Sequence, residues 1–177
     1  MLAVRKGWAV ADKIRVGVFS PNDNRAWVRS SNLDLMLKHE ALLIDALKRN
    51  DVEVVRGGDG FARDDQIAWN RDLVIRQAKR LAQARPDALI LNQGSWTFPR
   101  DSVDAVDVYE SALDTVLNGA GAAASRLLLF GYKDTQVPGL VALMAIAGAL
   151  KIMGRAFQIS YGRIDEDPET LEDVMGK

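Results

Sequence analysis

No cysteine occurs among the 177 residues, which excludes disulfides, thiolate metal sites and cysteine nucleophiles together and makes a reducing compartment, the cytoplasm, the expected location. Histidine is almost as scarce. His39 is the only one, and it lies between Lys38 and Glu40 in a segment of helical pattern, where it reads as a solvated helix residue. One histidine supports neither a Ser-His-Asp triad nor a metal site with convergent imidazoles. A surplus of either charge is also missing: 23 Lys plus Arg face 24 Asp plus Glu, and a net charge of −1 gives no footprint for nucleic acid or an anionic membrane. The longest nearly apolar stretch, residues 138 to 153, falls short of the roughly 20 residues of a membrane span and reads as a buried helix. The first twelve residues, MLAVRKGWAVAD, contain neither a sustained apolar run nor a convincing cleavage site, so a signal peptide is not expected. They read as a flexible lead-in, with Trp8 a partly ordered tail residue.

What is present is enough apolar material, 48%, for one sizeable core, and residues 13–177 read as a single domain. Five strand-length apolar runs recur: Ile14 to Phe19, Val52 to Val55, Ala88 to Leu91, Leu127 to Phe130 and Phe157 to Tyr161. Helical segments separate them. The first places Leu33, Met36, Leu37, Ala41, Ile44 and Leu47 on one face, with Ser31 and Asp34 resembling a capping box. The second follows Asp64 and Asp65, carries Ile67, Val74, Ala78 and Leu81, and stops before Pro86. The third starts near Asp101 or Ser102, aligns Val106, Leu113 and Leu117, and runs out into NGAGAAAS. The fourth opens on Pro138, is apolar almost all round and is closed by Gly154; a short fifth follows Pro168, capped by Asp167. Alternating strands and helices with apolar strands predict an α/β fold: a doubly wound five-stranded parallel sheet of flavodoxin-like order 2-1-3-4-5, helices on both faces. Its ligand crevice is expected beyond the carboxyl ends of strands one and three.

The loop after strand one, SPNDNRAWVRSSN, contains no glycine, so it cannot cradle a phosphate as flavin and nucleotide loops do. The glycines at Gly57 to Gly60 follow strand two and read as a plain turn. Asn92, Gln93 and Gly94 stand where a phosphoacceptor domain would need an aspartate. The crevice instead carries Asp23, Arg25, Trp27 and Arg29 from the first loop and Gln93, Ser95, Trp96 and Thr97 from the third, with Lys133, Thr135 and Gln136 after strand four. Hydrogen-bonding groups beside aromatic rings suit a polyol, whose hydroxyls need donors and acceptors while its C–H face packs on a ring. Plugging of the loop layer by Trp27 and Trp96 is the plainer alternative.

The pieces KIRVGVFSPNDNR, PDALILNQGSWTFP, GYKDTQVPG and GRAFQISYGRIDED, in order from residue 13 to about 167, resemble the N-terminal domain of the L-fucose isomerase and L-arabinose isomerase family of aldose-ketose isomerases. The resemblance implies a role in carbohydrate metabolism. Members of that family are several times longer. It further implies a divalent metal, usually manganese, held by two carboxylates and a histidine in later domains, where the open-chain sugar is isomerised. The N-terminal domain caps a neighbouring subunit's active site in the hexamer, with an arginine after strand one and a tryptophan after strand three. At the matching positions stand Arg25 and Trp96, with Gln93 and Ser95 as further substrate-binding candidates. The family's Asp-Gly-Arg is Asp23-Asn24-Arg25 here. No catalytic residue and no metal ligand or cofactor is expected in this chain. Alone it is expected to be inactive and a monomer or weak oligomer, its partner a small sugar shared with a neighbouring subunit or with the missing catalytic domains. A free-standing binding or interaction module of the same fold is the alternative.

Overall fold

The computed structural model describes residues 13–116, 126–134 and 139–177. The lead-in with Trp8, the NGAGAAAS stretch, Leu117, Thr135, Gln136 and Pro138 lie outside the described residues. Five parallel strands, β1 (Arg15–Phe19), β2 (Glu53–Arg56), β3 (Ala88–Gln93), β4 (Arg126–Tyr132) and β5 (Gln158–Gly162), form one sheet in the order β2-β1-β3-β4-β5. The registers Gly17 with Leu89 and Leu91 with Leu129 bring the three central strands side by side. The fold is the α/β architecture expected from the alternation of runs.

Strand side chains alternate between the two faces, and each face takes its own helices. Leu89, Leu91, Leu127 and Leu129 pack with α2 (Arg71–Ala84), α3 (Pro99–Val116) and α4 (Gly139–Ile152). Val16, Val18, Ile90, Leu128 and Phe130 pack with α1 (Ala26–Arg49) and α5 (Pro168–Met175). Three helices cover one face and two the other. That inequality leaves space on the second face, between α1 and α5.

Two helix starts and one burial pattern differ from the sequence expectation. Helix α1 begins at Ala26, not near Ser31, so Trp27 and Arg29 sit on its first turn and Ser31 lies inside it, its hydroxyl donating to the Val28 carbonyl at 2.8 Å. Asp34 is no capping partner; it pairs with Arg63. Helix α2 begins at Arg71, because Asn70 caps it by accepting from the Leu73 N–H at 2.9 Å. Asp64 and Asp65 belong to a single 3₁₀ turn, and Ile67 is buried from the bend that follows it rather than from the helix. Gln77, buried on α2, clamps that segment by donating to the Asp65 carbonyl at 2.8 Å. Helix α4 is not buried all round: Leu143, Ile146 and Leu150 face the core while Leu140, Val141 and Met144 are open to solvent. The ends of α2 and α5 agree with their signals. Arg85 adopts a left-handed conformation just before Pro86, and Asp167 caps α5 by accepting from the Glu169 N–H. No helix among the described residues is long and apolar enough to cross a membrane.

Candidate functional site

The crevice beyond the carboxyl ends of β1 and β3 is built from the loop 20–25, the loop 94–98 and the segment before α2. Two of these are stitched together by backbone: the Ala68 N–H donates to the Ser20 carbonyl at 2.9 Å and the Asn22 N–H to the Ala68 carbonyl at 2.7 Å. This extension buries Asn22 and Asp23 completely. Asp23 then organises Arg25. One carboxylate oxygen accepts from the Arg25 backbone N–H at 2.8 Å and from Nε at 2.9 Å; the other accepts from Nη2 at 2.5 Å. The guanidinium holds the Asp23 carboxyl below its ordinary range, the hydrogen bond being the largest cause. The same guanidinium lies 5.5 Å from the Trp27 ring centre and 5.7 Å from that of Phe98, within cation–π range of both. Trp27 is 71% exposed and Phe98 40%, so this cationic and aromatic surface is displayed to solvent.

Trp96 is half-buried beside this surface, neither in the core nor fully open. Its loop is held from behind. Gln93 and Ser95 are completely buried, and their polar atoms tie the loop to α1 and α3 as well as to itself. Gln93 donates from Nε2 to the Ser102 hydroxyl at 3.2 Å and accepts at Oε1 from Thr97 at 3.1 Å; Ser95 accepts from Asn32 Nδ2 at 2.8 Å. Of the four residues named from sequence, Arg25 and Trp96 therefore stand at the surface while Gln93 and Ser95 hold the turn that presents Trp96. The Arg29 guanidinium lies over the Trp69 ring, 3.8 Å from its centre, and Lys133 is exposed, its backbone N–H bonded to the Gly162 carbonyl.

Beside Arg25 opens a cleft of about 350 Å³, with Asn24, Trp69 and Phe98 on its walls and Arg100, Asp101 and Asp104 at the start of α3. Burial, then the neighbouring Asp104 carboxylate, raises the Asp101 carboxyl above its ordinary range. Amide, carboxylate, guanidinium and ring faces thus meet in one recess, the combination that recognises a polyol by hydroxyl hydrogen bonds and stacking.

Beneath the crevice lies a polar layer that sequence reasoning missed. His39 is not solvated: it is 1% exposed, stacked on the Tyr132 ring at 3.8 Å between centres, with Nε2 3.4 Å from the Asp134 carboxylate. Burial pushes the imidazole below its ordinary 6.5, and Asp134 works partly against it. The Tyr132 hydroxyl donates to Asp165, and burial first, then that bond, pushes it up to about 12. Next to His39, Glu40 is buried as well. It accepts from the Ser20 hydroxyl at 2.9 Å and from Arg56 Nε at 3.0 Å, while Asn92 Nδ2 donates to Ser20 at 3.0 Å. Burial raises the Glu40 carboxyl although Arg56 lowers it. A signal existed. Leu33, Met36, Glu40, Leu43 and Leu47 follow one 3-4-3-4 stripe, and the charge in its middle marked a buried polar contact rather than a surface position.

In the turn at Gly57–Gly60 a Cβ at Gly58 would meet the Gln66 carbonyl oxygen at 2.0 Å, so this glycine answers a close backbone approach. Among the described residues no three His, Asp or Glu side chains converge as a cation site.

A search of curated proteins found no match to this chain. The crevice, with Arg25 and Trp96 at its mouth on a sheet of order β2-β1-β3-β4-β5, coincides with a family match over the whole folded region. Residues 13–177 match the family model described as L-fucose isomerase, first N-terminal domain, and the chain belongs to that family.

Proposed function

We propose that this domain supplies one wall of a sugar site in an L-fucose isomerase-type aldose-ketose isomerase, with Arg25 and Trp96 facing the sugar. The remaining contacts and the isomerisation chemistry come from residues beyond this chain, in later domains or a neighbouring subunit. The observation that carries the reading is the pairing of Arg25 with a fully buried Asp23. It fixes the guanidinium between two exposed rings and balances its charge, so that the surface offers directed donors and ring faces without a net positive field. That suits an uncharged aldose or ketose better than a sugar phosphate. Gln93 and Ser95 contribute by holding the Trp96 turn. The divalent metal implied by the family, manganese in the usual case, finds no ligand set among the described residues.

The test has two arms. Purified and supplied with Mn²⁺, the 177-residue chain is expected to leave L-fucose and L-arabinose unconverted; turnover would show that the chemistry resides here after all. In the second arm, L-fucose is titrated into the high millimolar range while tryptophan emission is followed. A saturable change that is lost in Arg25→Ala supports the wall, and a change indifferent to Arg25→Ala refutes it. Light scattering should report a monomer or weak oligomer for this chain alone.

A further inference from the structure

Helices α2 and α4 cover the same face of the sheet and differ on the side they turn to water. On α2 the open positions carry Arg71, Asp72, Arg76, Lys79 and Arg80, as expected where a helix meets solvent. From Gly139 to Leu150, α4 has no charged residue at all. Leu143, Ile146 and Leu150 fill its core side, yet on the side turned away Leu140 is 44% exposed, Val141 49%, Met144 58% and Ile152 89%. Leu140, Met144, Gly148 and Ile152 recur every fourth residue and so form a single ridge. The apolar surface continues onto the edge strand β5, where Ile159 and Tyr161 are more than a third open. A Cβ at Gly131 would meet Leu143 Cδ2 and Tyr161 Cδ2, both at 2.9 Å, so the Tyr161 ring lies beside α4.

Leu140, Val141, Met144, Ile152, Ile159 and Tyr161 together expose on the order of 600 Å² of apolar surface, the upper end of what a monomer ordinarily shows and below the ~800 Å² that each partner buries in a standard interface. We propose that this face is the interface of a weak two-fold dimer of the chain, with the two copies of α4 crossing antiparallel at Gly148. What selects a second copy over an unlike partner is the distribution of bulk along the ridge. Its centre is small, Gly148 with Ala145 and Ala149 beside it, and it is bulky on both sides, Met144 four residues before Gly148 and Ile152 four after. A row of that form is its own complement when turned end for end. Gly148 then meets Gly148, the backbones approach closely, and Met144 of each copy packs on Ile152 of the other. A Cβ at Gly148 would meet nothing within 4 Å in its own chain, so the space that a second helix needs is open. The pairing brings no like charges together. Lys151 falls opposite Ala145, over which its stem lies while the ammonium stays in water, and Arg155 is already paired with Asp107 and Glu110. The face shares no residue with the crevice, so the proposal is independent of the sugar reading.

Sedimentation velocity of the 177-residue chain tests this. Over loading concentrations of about 5 to 500 µM the sedimentation coefficient should rise from that of a monomer toward that of a dimer and stop there, with half-association at about 10 µM or above, as an interface of this size predicts. Met144→Lys sets a charge against Ile152 of the second copy. It should weaken association about tenfold or more and leave the melting temperature within about 2 °C, since Met144 is 58% exposed. The absence of cysteine allows a second arm: Gly148→Cys places one thiol at the two-fold axis, and mild oxidation should give covalent dimer about tenfold faster than in Lys79→Cys on the outer side of α2. A chain that is monomeric at every concentration overturns the proposal and leaves this face to an unlike domain. Association that proceeds past the dimer, or that Met144→Lys does not weaken, overturns it as well, and so do equal cross-linking rates at positions 148 and 79. If Met144→Lys impairs folding, the cysteine pair decides the question.

Discussion

The two ends of the sheet are built from the same five strands and differ in what they bury. At the carboxyl end, Asp23, His39, Glu40, Asn92, Gln93 and Ser95 are all shielded from water, each with at least one polar partner, while His39 Nδ1 and Asn92 Oδ1 have no hydrogen bond. At the amino end, an apolar groove of about 430 Å³ between α1 and α5 has Val16, Leu47, Ile90 and Val174 as its floor. Polar groups without water must be paired, and pairing has a direction; that is why the carboxyl end can hold Arg25 and Trp96 in fixed poses. Apolar surface has no such direction and asks only for cover. The carboxyl end therefore presents directed polar groups, on which the sugar-wall proposal rests, and the amino end an apolar surface.

The comparison can be broken by substitution, beginning with the largest expected effect. Glu40→Ala removes the carboxylate that satisfies Arg56 and Ser20; it should cost about 3 kcal/mol in urea unfolding at pH 7, the lower end for a broken buried pair, because Arg56 keeps Asp59 nearby. Leu47→Ala, at the apolar end, should cost about 2 kcal/mol, near the lower limit for such truncations because the groove beside it is already open. That cost should be the same at pH 5.5 and pH 7.5, since no ionisable group depends on Leu47; a marked pH dependence would erase the distinction between the two ends.

His39 supplies the contrasting pH response. Its folded value lies below its ordinary 6.5, so as the pH falls the unfolded chain takes up the proton first. This contribution is neutral above pH 6.5 and destabilises progressively below it, at no more than about 1.4 kcal/mol per pH unit, until folded His39 itself titrates. His39→Gln should remove that part of the acid decline when unfolding is compared at pH 7.5 and pH 5.5, and an unchanged decline would mean that His39 is not the group responsible. Glu40 works in the opposite sense: its folded value is raised above its ordinary 4.5, so its contribution weakens as the pH rises through that window. The smallest stability effect is expected for Trp27→Ala, below about 0.5 kcal/mol in thermal or urea unfolding, because the ring is 71% exposed. A loss of several times that value would place Trp27 in the loop packing and remove it from the ligand-facing surface.

The strands were legible because apolar runs of four to six residues, spaced by helices, can be satisfied only by a covered parallel sheet. The crevice loops after β1 and β3 were legible from the order of the runs, whereas Arg25 and Trp96 were singled out within them by the family resemblance. His39 was not: its neighbours Lys38 and Glu40 gave the segment the look of a solvated face, and only the rotation of α1 against β1 and β3 turned residues 39 and 40 inward. The start of α1 was misplaced for a related reason. Its first turn is supported by Asp23 upstream, whose buried carboxylate binds the Arg25 backbone, and that burial depends on Asn22 and Ala68 meeting across 46 residues of chain.

Local pattern alone therefore settled which segments are strand and helix and that the sheet is parallel, since periodicity and the demand to bury apolar surface act within each segment. Tertiary structure decided which polar residues are buried, which of the crevice residues reach the surface, and where the helical cover falls short. Those outcomes depend on distances between segments far apart in the chain, and burial energetics act through exactly such distances: a carboxylate on α1 is a liability or an anchor according to whether Arg56 arrives beside it.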